Sequence, residues 1–545
     1  MLNNLNHNNM FSLRRFIQLS VAAAVAVFVV ACSGGDKSTP SKGNMIPDNA
    51  VVALKVDFDQ LLNKALGDEN SPIRDYWNMA KSAMAGQARG YGELGELARN
   101  ILKDPALSGV DVTEPVVLSC SYDMQNISHD DPSVDVYLVA LLDDEDAFVK
   151  VVDAAVAFVN EEEGLNITKE ELGSYTYYEI MSEYDSSIDL GVSSKAAILR
   201  IRDNATDDGE GLKDSFLALF TNGGPEKTKG LKKFYDADEE VAVWVAIDSA
   251  FDSAMPLLEE ECDPEALSKF QAYAEIYNGA SAVADLSFNN GKTVVNYNLY
   301  GSALLKEAMG KYVKPASDKY LKMMPDSPAV VLNVAIKDFA GLVDLLCAED
   351  EDFQEMFEEI SEEYSFDKEL LKGFPGNISV AVDAKRLSYR SEPGVMVCLE
   401  TDKKVWRYAE SYITAFADRE GDDTYLIDDE YYVFYEGDHI TFVDSETMST
   451  APMSGANSFA ETEFGAQIKK GGMFVDLAAI PARDLEKYVR REFGVRMTRE
   501  QILDLCSSAV LTTSDDFMSA TLTVNMNDKD HNLLEKIALT AVSSF

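Results

Sequence analysis

The chain has 545 residues, of which 46% are hydrophobic and 26% are charged, and its formal net charge at pH 7 is −46. So acidic a protein is repelled by nucleic acid and by anionic membrane surfaces, so we expect no nucleic-acid partner. The hydrophobic content suffices for large cores and the length for two or more domains, so the charge belongs to a solvated surface and not to disorder.

The N-terminal segment has the pattern of a bacterial lipoprotein signal. Arg14 and Arg15 precede an apolar run that ends in Val29-Val30-Ala31-Cys32. Residues 16–31 are too few to span a bilayer, which needs about 20 residues, so a cleaved signal is favoured over a transmembrane helix. We expect residues 1–32 to comprise the signal peptide and Cys32, whose acyl chains anchor the protein. Residues 33–45 then form a flexible tether.

The folded body begins near residue 46 and repeats itself downstream. Residues 45–58 read Met-Ile-Pro-Asp-Asn-Ala-Val-Val-Ala-Leu-Lys-Val-Asp-Phe, and residues 323–339 read Met-Met-Pro-Asp-Ser-Pro-Ala-Val-Val-Leu-Asn-Val-Ala-Ile-Lys-Asp-Phe. The predicted strands and helices that follow recur in the same order. The sequence therefore predicts two homologous α+β lobes, residues 46–322 and 323–545, with mainly antiparallel sheets and strand-helix-strand-strand-helix units.

Two local patterns and several correspondences follow from this interpretation. Asn290-Gly291 predicts a two-residue hairpin turn between strands, and Thr498 and Glu500 frame a predicted helix start. The two lobes should superpose. The expected equivalent residues are Val51 with Val330, Phe148 with Val405 or a neighbour, and Val245 with Leu477. The aromatic strands 175–178 and 431–435 should also be equivalent.

The opening of the chain resembles a known family. The lipobox, the short tether, the stretch Ile-Pro-Asp-Asn-Ala-Val-Val at residues 46–52 and the Asp57-Phe58 step are similar to uncharacterised lipoproteins of Bacteroides-type gut bacteria, a family filed as a domain of unknown function. The resemblance covers most of the mature chain and implies an anchored envelope protein. It brings no catalytic residues with it.

No pattern in the sequence specifies a catalytic site, a cofactor or a metal. The G-x-G-x-x-G match at residues 90–95 follows a predicted helix and not the buried strand that a dinucleotide site needs. With 94 Asp and Glu residues, paired carboxylates occur at every spacing and carry little information. The oxygen-rich loop at residues 203–210 lacks the order of an EF-hand, so a solvated turn is favoured over a calcium site.

The acidic run at residues 349–352 predicts the N-terminus of a solvated helix. Phe353, Met356, Phe357, Ile360 and Tyr364 are spaced to share one apolar face of that helix. The histidines are too few and too scattered to predict a zinc site or a hydrolytic triad.

Five cysteines besides Cys32 are widely spread and odd in number, and none forms a C-x-x-C pair. Buried free thiols are favoured where cysteines fall inside apolar strand patterns, although the sequence leaves their disulfide state open. The five are Cys120, Cys262, Cys347, Cys398 and Cys506.

Tyrosines supply the one ligand-binding hypothesis that the sequence offers. Aromatic side chains occur on both faces of two predicted strands, so either a helix covers the second face or exposed rings stack on sugar or peptide. Core packing is favoured over ligand binding. The candidate residues are Tyr175, Tyr177, Tyr178, Tyr431, Tyr432 and Tyr435.

These observations together predict an outer-membrane lipoprotein of the cell envelope. We expect a non-enzymatic binding or scaffold role, with a protein or a glycan as partner and without a cofactor or metal. The alternative is a carboxylate-dependent enzyme that acts on glycans. The sequence does not specify the ligand, the oligomeric state, or whether the protein faces the periplasm or the cell surface.

Overall fold

The computed structural model describes residues 46–542 apart from 48, 129–130, 165, 184–185, 204–218, 220–228, 326, 350, 364–367, 375, 384–393 and 445–457. The described residues form helices and antiparallel sheet strands, which confirms the predicted α+β class. The chain divides into two compact units. Unit 1 comprises Met1–Phe288 with Leu534–Phe545, and unit 2 comprises Asn289–Leu533.

Unit 1 contains an antiparallel sheet whose described strands are β1 Ala50–Val56, β2 Val116–Ser128, β3 Asp131–Leu141, β4 Thr168–Leu172, β5 Tyr175–Glu183, β6 Ser186–Val192, β7 Ala196–Asp203, β8 Val241–Ala246 and β9 Ser281–Asn289. Its helices up to β9 are α1 Phe58–Leu66, α2 Pro72–Gln87, α3 Gly92–Ile101, α4 Glu145–Glu163, α5 Lys229–Asp236, α6 Ile247–Glu261 and α7 Pro264–Tyr277. Short 3-10 helices lie at Ala88–Gly90 and Pro105–Ser108.

The strands of unit 1 pair in the order β4-β5-β6-β7-β3-β2-β1-β8 and end at β9. Aspartates mark where helices begin, because a carboxylate accepts the unpaired N–H groups of a first turn. Asp57 caps α1 by accepting from the Gln60 N–H, and Asp144 caps α4 by accepting from the Ala147 N–H. Helix α4 then packs on β3–β7 through Phe148.

Unit 2 contains the described strands β10 Lys292–Tyr300, β11 Pro328–Ala335, β12 Asn377–Asp383, β13 Gly394–Glu400, β14 Ala417–Gly421, β15 Thr424–Ile427, β16 Tyr431–Glu436, β17 His439–Asp444, β18 Gly472–Asp476, β19 Ser508–Thr513 and β20 Ser519–Asn525. Its helices are α8 Ala303–Tyr312, α9 Phe339–Glu349, α10 Glu351–Glu363, α11 Lys403–Ile413, α12 Glu463–Gln467, α13 Ala482–Phe493 and α14 Arg499–Leu505. The 3-10 helices are Tyr320–Met323, Lys368–Gly373, Phe459–Glu461 and Leu477–Ala479. The last helix, α15, is Leu533–Val542.

The strands of unit 2 pair in the order β14-β15-β16-β17-β13-β12-β11-β18-β19-β20-β10, all antiparallel. One face of this sheet carries the main core of the unit, which includes Val331, Phe474 and Val510. Between β9 and β10 lie two residues, and Gly291 has φ 75°, as the predicted Asn-Gly turn requires.

Helix α14 begins at the predicted place, although its capping partner differs from the predicted one. Thr498 accepts from the Gln501 N–H, and the Gln501 side chain accepts from the Thr498 N–H. Glu500 is not part of this reciprocal pair, because a capping box joins the cap to the third residue after it.

Among the described strands and α-helices, the run from β1 to α8 and the run from β11 to α15 have the same order, apart from the extra helix α3 in the first. Both runs also share the pairing order of the first nine strands. The two runs thus share element order and strand pairing, while the internal duplication inferred from the sequence stays a prediction.

Strand register refines the expected correspondences. A bulge lies between Ala50 and Val52 in β1 and between Pro328 and Val330 in β11, which makes Val52 equivalent to Val330. Val51, expected at that place, is therefore one residue out of register.

The other two correspondences follow from the same ladders. Val52 faces Val245 and Val330 faces Val475, so Val245 matches Val475 and not Leu477. Phe148 lies four residues after the N-cap Asp144, and Trp406 lies four residues after the N-cap Asp402. Phe148 therefore matches Trp406, a neighbour of Val405.

The compact units and the sequence repeats are divided at different residues. β10 belongs to the first repeat but pairs with β20 inside unit 2. Helix α15 is the last element of the second repeat but belongs to unit 1, where the Glu535 side chain occupies the space that a Cβ at Gly67 would need. The boundaries of the compact units therefore differ from those of the predicted lobes, because β10 belongs to unit 2 and α15 to unit 1. The predicted lobes describe the repetition in the sequence only.

Candidate functional site

Cys32 and the tether lie outside the described residues, so the anchoring site stays a prediction. Among the helices that the structure describes, none has the length and apolarity needed to cross a bilayer. The geometry of the tyrosine strands, in contrast, is available in both units.

Two of the β5 tyrosines donate their hydroxyls to carboxylates within unit 1. The Tyr178 hydroxyl donates to Asp153 Oδ1 on α4 at 2.8 Å, and the Lys169 ammonium lies over its ring and pairs with Asp153. The Tyr177 hydroxyl donates to Asp189 Oδ1 at 2.6 Å. Burial raises the pKa of both phenols above the ordinary value of 10. Both side chains are buried, whereas Tyr175 is half-buried at the strand end.

Asp189 is the centre of a buried charge network that the sequence did not suggest. Its Oδ2 accepts from Arg200 Nη2 at 2.6 Å, from Arg200 Nε at 3.1 Å and from the Ser187 hydroxyl at 3.1 Å. The two ionic side chains are 2% and 3% exposed. On the same face, Arg202 binds Asp135 through two nitrogens at 2.6 and 2.7 Å. The signal for these pairs was the alternation Leu-Arg-Ile-Arg at residues 199–202, which places two guanidiniums on one strand face.

The β16 tyrosines pack against other rings. Tyr431 stacks on Phe442 with ring centroids 5.2 Å apart, and Tyr432 packs on the unit 2 core. Tyr435 stacks on Trp406 at 5.7 Å and an interplanar angle of 14°, while its hydroxyl donates to the Gly437 carbonyl. All three tyrosines are half-buried, so each keeps part of its ring at the surface.

Tyr435 lies beside exposed charges, and we call Lys403, Arg407, Asp423 and Tyr435 the α11 surface. The Lys403 ammonium is 6.0 Å from the Tyr435 ring centroid and 3.6 Å from Asp423 Oδ2. Arg407 lies 3.7 Å from Asp423 Oδ1. The Trp406 indole N–H donates to Asp423, which lowers the pKa of that carboxyl, and both cations add to the effect. The surface therefore offers a half-exposed ring next to two cations in an acidic protein.

The two aromatic strands are not equivalent, which corrects the expectation that 175–178 matches 431–435. β5 is the second strand of its four-stranded meander, and β16 is the third. The ladders instead match Tyr178 with Tyr425, because Tyr178 faces Leu190 and Tyr425 faces the equivalent Val433. Tyr425 also donates to a helix carboxylate, Glu410 Oε1 at 2.8 Å. Both repeats thus tie the meander to its covering helix by a tyrosine-carboxylate bond.

The remaining candidates are placed as follows. Helix α2 precedes residues 90–95, so this glycine pattern opens α3 without a preceding strand. Phe353 and Phe357 pack against α9, whereas Met356 and Ile360 are exposed, so the expected apolar face of α10 is narrower than predicted. Residues 204–210 and 364 lie outside the described residues.

Cysteines and histidines provide no cluster in the described part of the chain. None of the five described cysteines forms a disulfide, and burial raises the pKa of the Cys398 thiol to about 12. Within the same residues, no group of three His, Cys, Asp or Glu side chains is arranged to hold a metal ion.

A family model described as a domain of unknown function, DUF4836, matches residues 42–441. The matched span begins just before β1 and ends within β17, so it includes both tyrosine strands and the α11 surface. No curated protein and no solved structure matches the chain.

Proposed function

The chain belongs to the DUF4836 family of unknown function, and we propose that it is a lipid-anchored protein of the bacterial cell envelope with a non-enzymatic binding or scaffold role. The observation that carries the anchoring is the run Val-Val-Ala-Cys at residues 29–32 behind two arginines. Acyl chains on Cys32 contribute roughly 0.8 kcal/mol per buried methylene, so two or three chains hold a soluble body stably. The likeness to Bacteroides-type lipoproteins favours the outer membrane.

Metabolic labelling tests the anchor. The wild type should incorporate labelled palmitate and fractionate with outer membranes, whereas Cys32→Ala should do neither, because the acylated thiol is lost. Cys262→Ala is the matched control, since it removes a cysteine from the body and should label normally. A Cys32→Ala protein that still labels would refute the lipoprotein assignment.

The binding role is supported by the α11 surface. The two carboxylates at this surface that could act in acid/base catalysis already accept hydrogen bonds. Glu410 accepts from Tyr425 and from Arg407, and Asp423 accepts from Trp406. A stacked ring beside two cations suits recognition of an anionic or polyhydroxyl ligand, such as a glycan or an acidic peptide. Exposed Lys403 and Arg407 would supply the hydrogen bonds.

A screen of purified protein against glycans and peptides tests this role, with binding and turnover measured separately. Binding should weaken when Lys403→Ala or Tyr435→Ala alters the α11 surface, and Lys470→Ala, an exposed cation in unit 2 away from α11 in sequence, should bind normally. The alternative is a carboxylate-dependent glycan enzyme. Turnover that a single Asp or Glu substitution abolishes would establish that alternative and refute the non-enzymatic role.

A further inference from the structure

One face of the unit 2 sheet is apolar but open. In antiparallel sheets with one face on a core, the outward face is ordinarily polar. Here the row Leu332, Met473, Leu511, Leu522 and Val295 runs across five adjacent strands, each residue directly opposite the next. Met473 is 37% exposed, Leu511 39% and Leu522 36%. At the usual strand spacing this row is about 20 Å long.

Rows on either side extend the apolar surface, which we call the aliphatic face. By strand register it comprises Val295, Tyr297, Val330, Leu332, Val334, Met473, Val475, Ala509, Leu511, Thr513, Ala520, Leu522 and Val524, while Thr293 at the end of β10 is buried. Charged residues make up 26% of the chain, yet none of these positions carries a charge. The opposite sides of the same strands hold Val331, Phe474 and Val510 in the core. The aliphatic face is therefore a second apolar surface.

The pattern is repeated in unit 1, which shows that it is not confined to a few strands. Val243, Leu54, Leu118 and Leu138 are paired across β8, β1, β2 and β3, and Leu118 is 39% exposed. Leu54 and Leu332 occupy equivalent positions after the shared bulge. A large exposed apolar patch on a soluble protein marks an interaction site.

Charge and polarity distinguish between the ligands that could bind this apolar face. A second copy would bring another net charge of −46 towards this one, and like charges of this size oppose association. An extended peptide binds a sheet edge through its backbone and does not need a flat face. Sugars stack on aromatic rings, whereas this face has one ring, Tyr297, among aliphatic side chains. A neutral hydrocarbon chain matches the face in polarity.

We propose that the aliphatic face of unit 2 binds the acyl chain of a free lipid molecule. This inference rests on the binding role proposed above and names a ligand class for it, but it does not depend on the anchor at Cys32. Contact with an acyl chain would remove the half-exposed leucines from water, which is the dominant favourable contribution to such binding.

The test uses the chain from residue 33 onward, which contains every described residue but not the lipidated cysteine. N-phenyl-1-naphthylamine, a neutral apolar fluorophore, should bind saturably, and monopalmitoylglycerol should displace it while glycerol should not. Leu511→Gln and Leu522→Gln should each weaken binding about tenfold, because each removes a half-exposed leucine from the contact. Leu346→Gln is the matched control, since Leu346 is also 39% exposed but lies on α9.

Folding and oligomeric state are measured on the same samples by circular dichroism and size-exclusion chromatography. The half-exposed positions should tolerate glutamine, so unchanged melting with weakened binding supports the proposal. The absence of saturable binding by the wild type, equal weakening by Leu346→Gln, or a dimer that Leu511→Gln dissociates would each overturn it. Palmitate labelling of Cys32 and the glycan and peptide screen are separate measurements, so failure here is distinguishable from failure of the proposed function.

Discussion

Removal of the buried counter-charge of Arg200 should destabilise unit 1 strongly. Asp189→Asn keeps the shape of the side chain but removes its charge, and both partners are nearly inaccessible to water, at 2% and 3% exposed. Breaking a buried ion pair from one side costs about 3–5 kcal/mol, because an uncompensated charge stays in a low-dielectric interior. The hydrogen bond from the Tyr177 hydroxyl to Asp189 is also weakened. We therefore expect Asp189→Asn to lower the free energy of unfolding by about 3–5 kcal/mol.

Two further variants separate the charge effect from the loss of shape. The double variant Asp189→Leu with Arg200→Met removes both charges of this pair, so it should be more stable than Asp189→Asn. Asp515→Asn breaks the exposed pair with Lys470, whose side chains are 60% and 67% exposed, and should cost less than about 1 kcal/mol.

Urea denaturation is the appropriate assay, because guanidinium chloride would screen the charges. The chain has two units, so its unfolding is not assumed to be two-state, and hydrogen exchange of peptides covering residues 186–203 localises the effect. If Asp189→Asn costs no more than Asp515→Asn, or if the double variant is as unstable as the single one, the reasoning from buried charge is wrong.

Three other predictions follow from named contacts. Above pH 10 the fold should lose stability, because burial and the hydrogen bond to Asp153 raise the pKa of Tyr178. The stabilisation that Tyr178 contributes is complete below the pKa of the unfolded chain, near 10, and is lost as the pH rises. Melting temperatures at stepped pH, compared with phenolate absorbance at 295 nm, check this. Thr498→Ala should cost about 1 kcal/mol in urea denaturation through loss of the cap, and Thr498→Ser should cost little. Gly376→Ala should prevent normal folding of unit 2, because its φ is 103° and a Cβ would overlap the Ile336 carbonyl; normal melting would contradict this.

Local sequence signals predicted the fold class because they act over short distances. Alternating apolar residues identified β1 and β11, and Asn290-Gly291 identified a turn that few other residue pairs can form. Strand register was less predictable, since a bulge shifts every later pairing by one residue without changing composition. This is why Val51 and Val245 were matched one and two residues away from their structural partners.

The candidate site shows the same division. Sequence identified tyrosine-rich strands, and it favoured core packing for them, but it could not specify that Tyr178 binds Asp153 on a helix 25 positions away. It also could not distinguish Asp189 from the other acidic residues, because the pair with Arg200 forms only when β6 and β7 lie side by side. Because the chain has 94 Asp and Glu residues, the sequence does not indicate which few of them are buried.

The sequence by itself determined the acidic composition, the α+β class and the order of elements along the chain, because each depends on composition or on neighbours along the chain. The tertiary structure alone decided which strands are adjacent, that β10 pairs with β20, and that α15 joins unit 1. It also decided that one apolar row of the unit 2 sheet is covered while the other is open. Alternation tells which residues share a face, but only the packing of distant segments determines which face is buried.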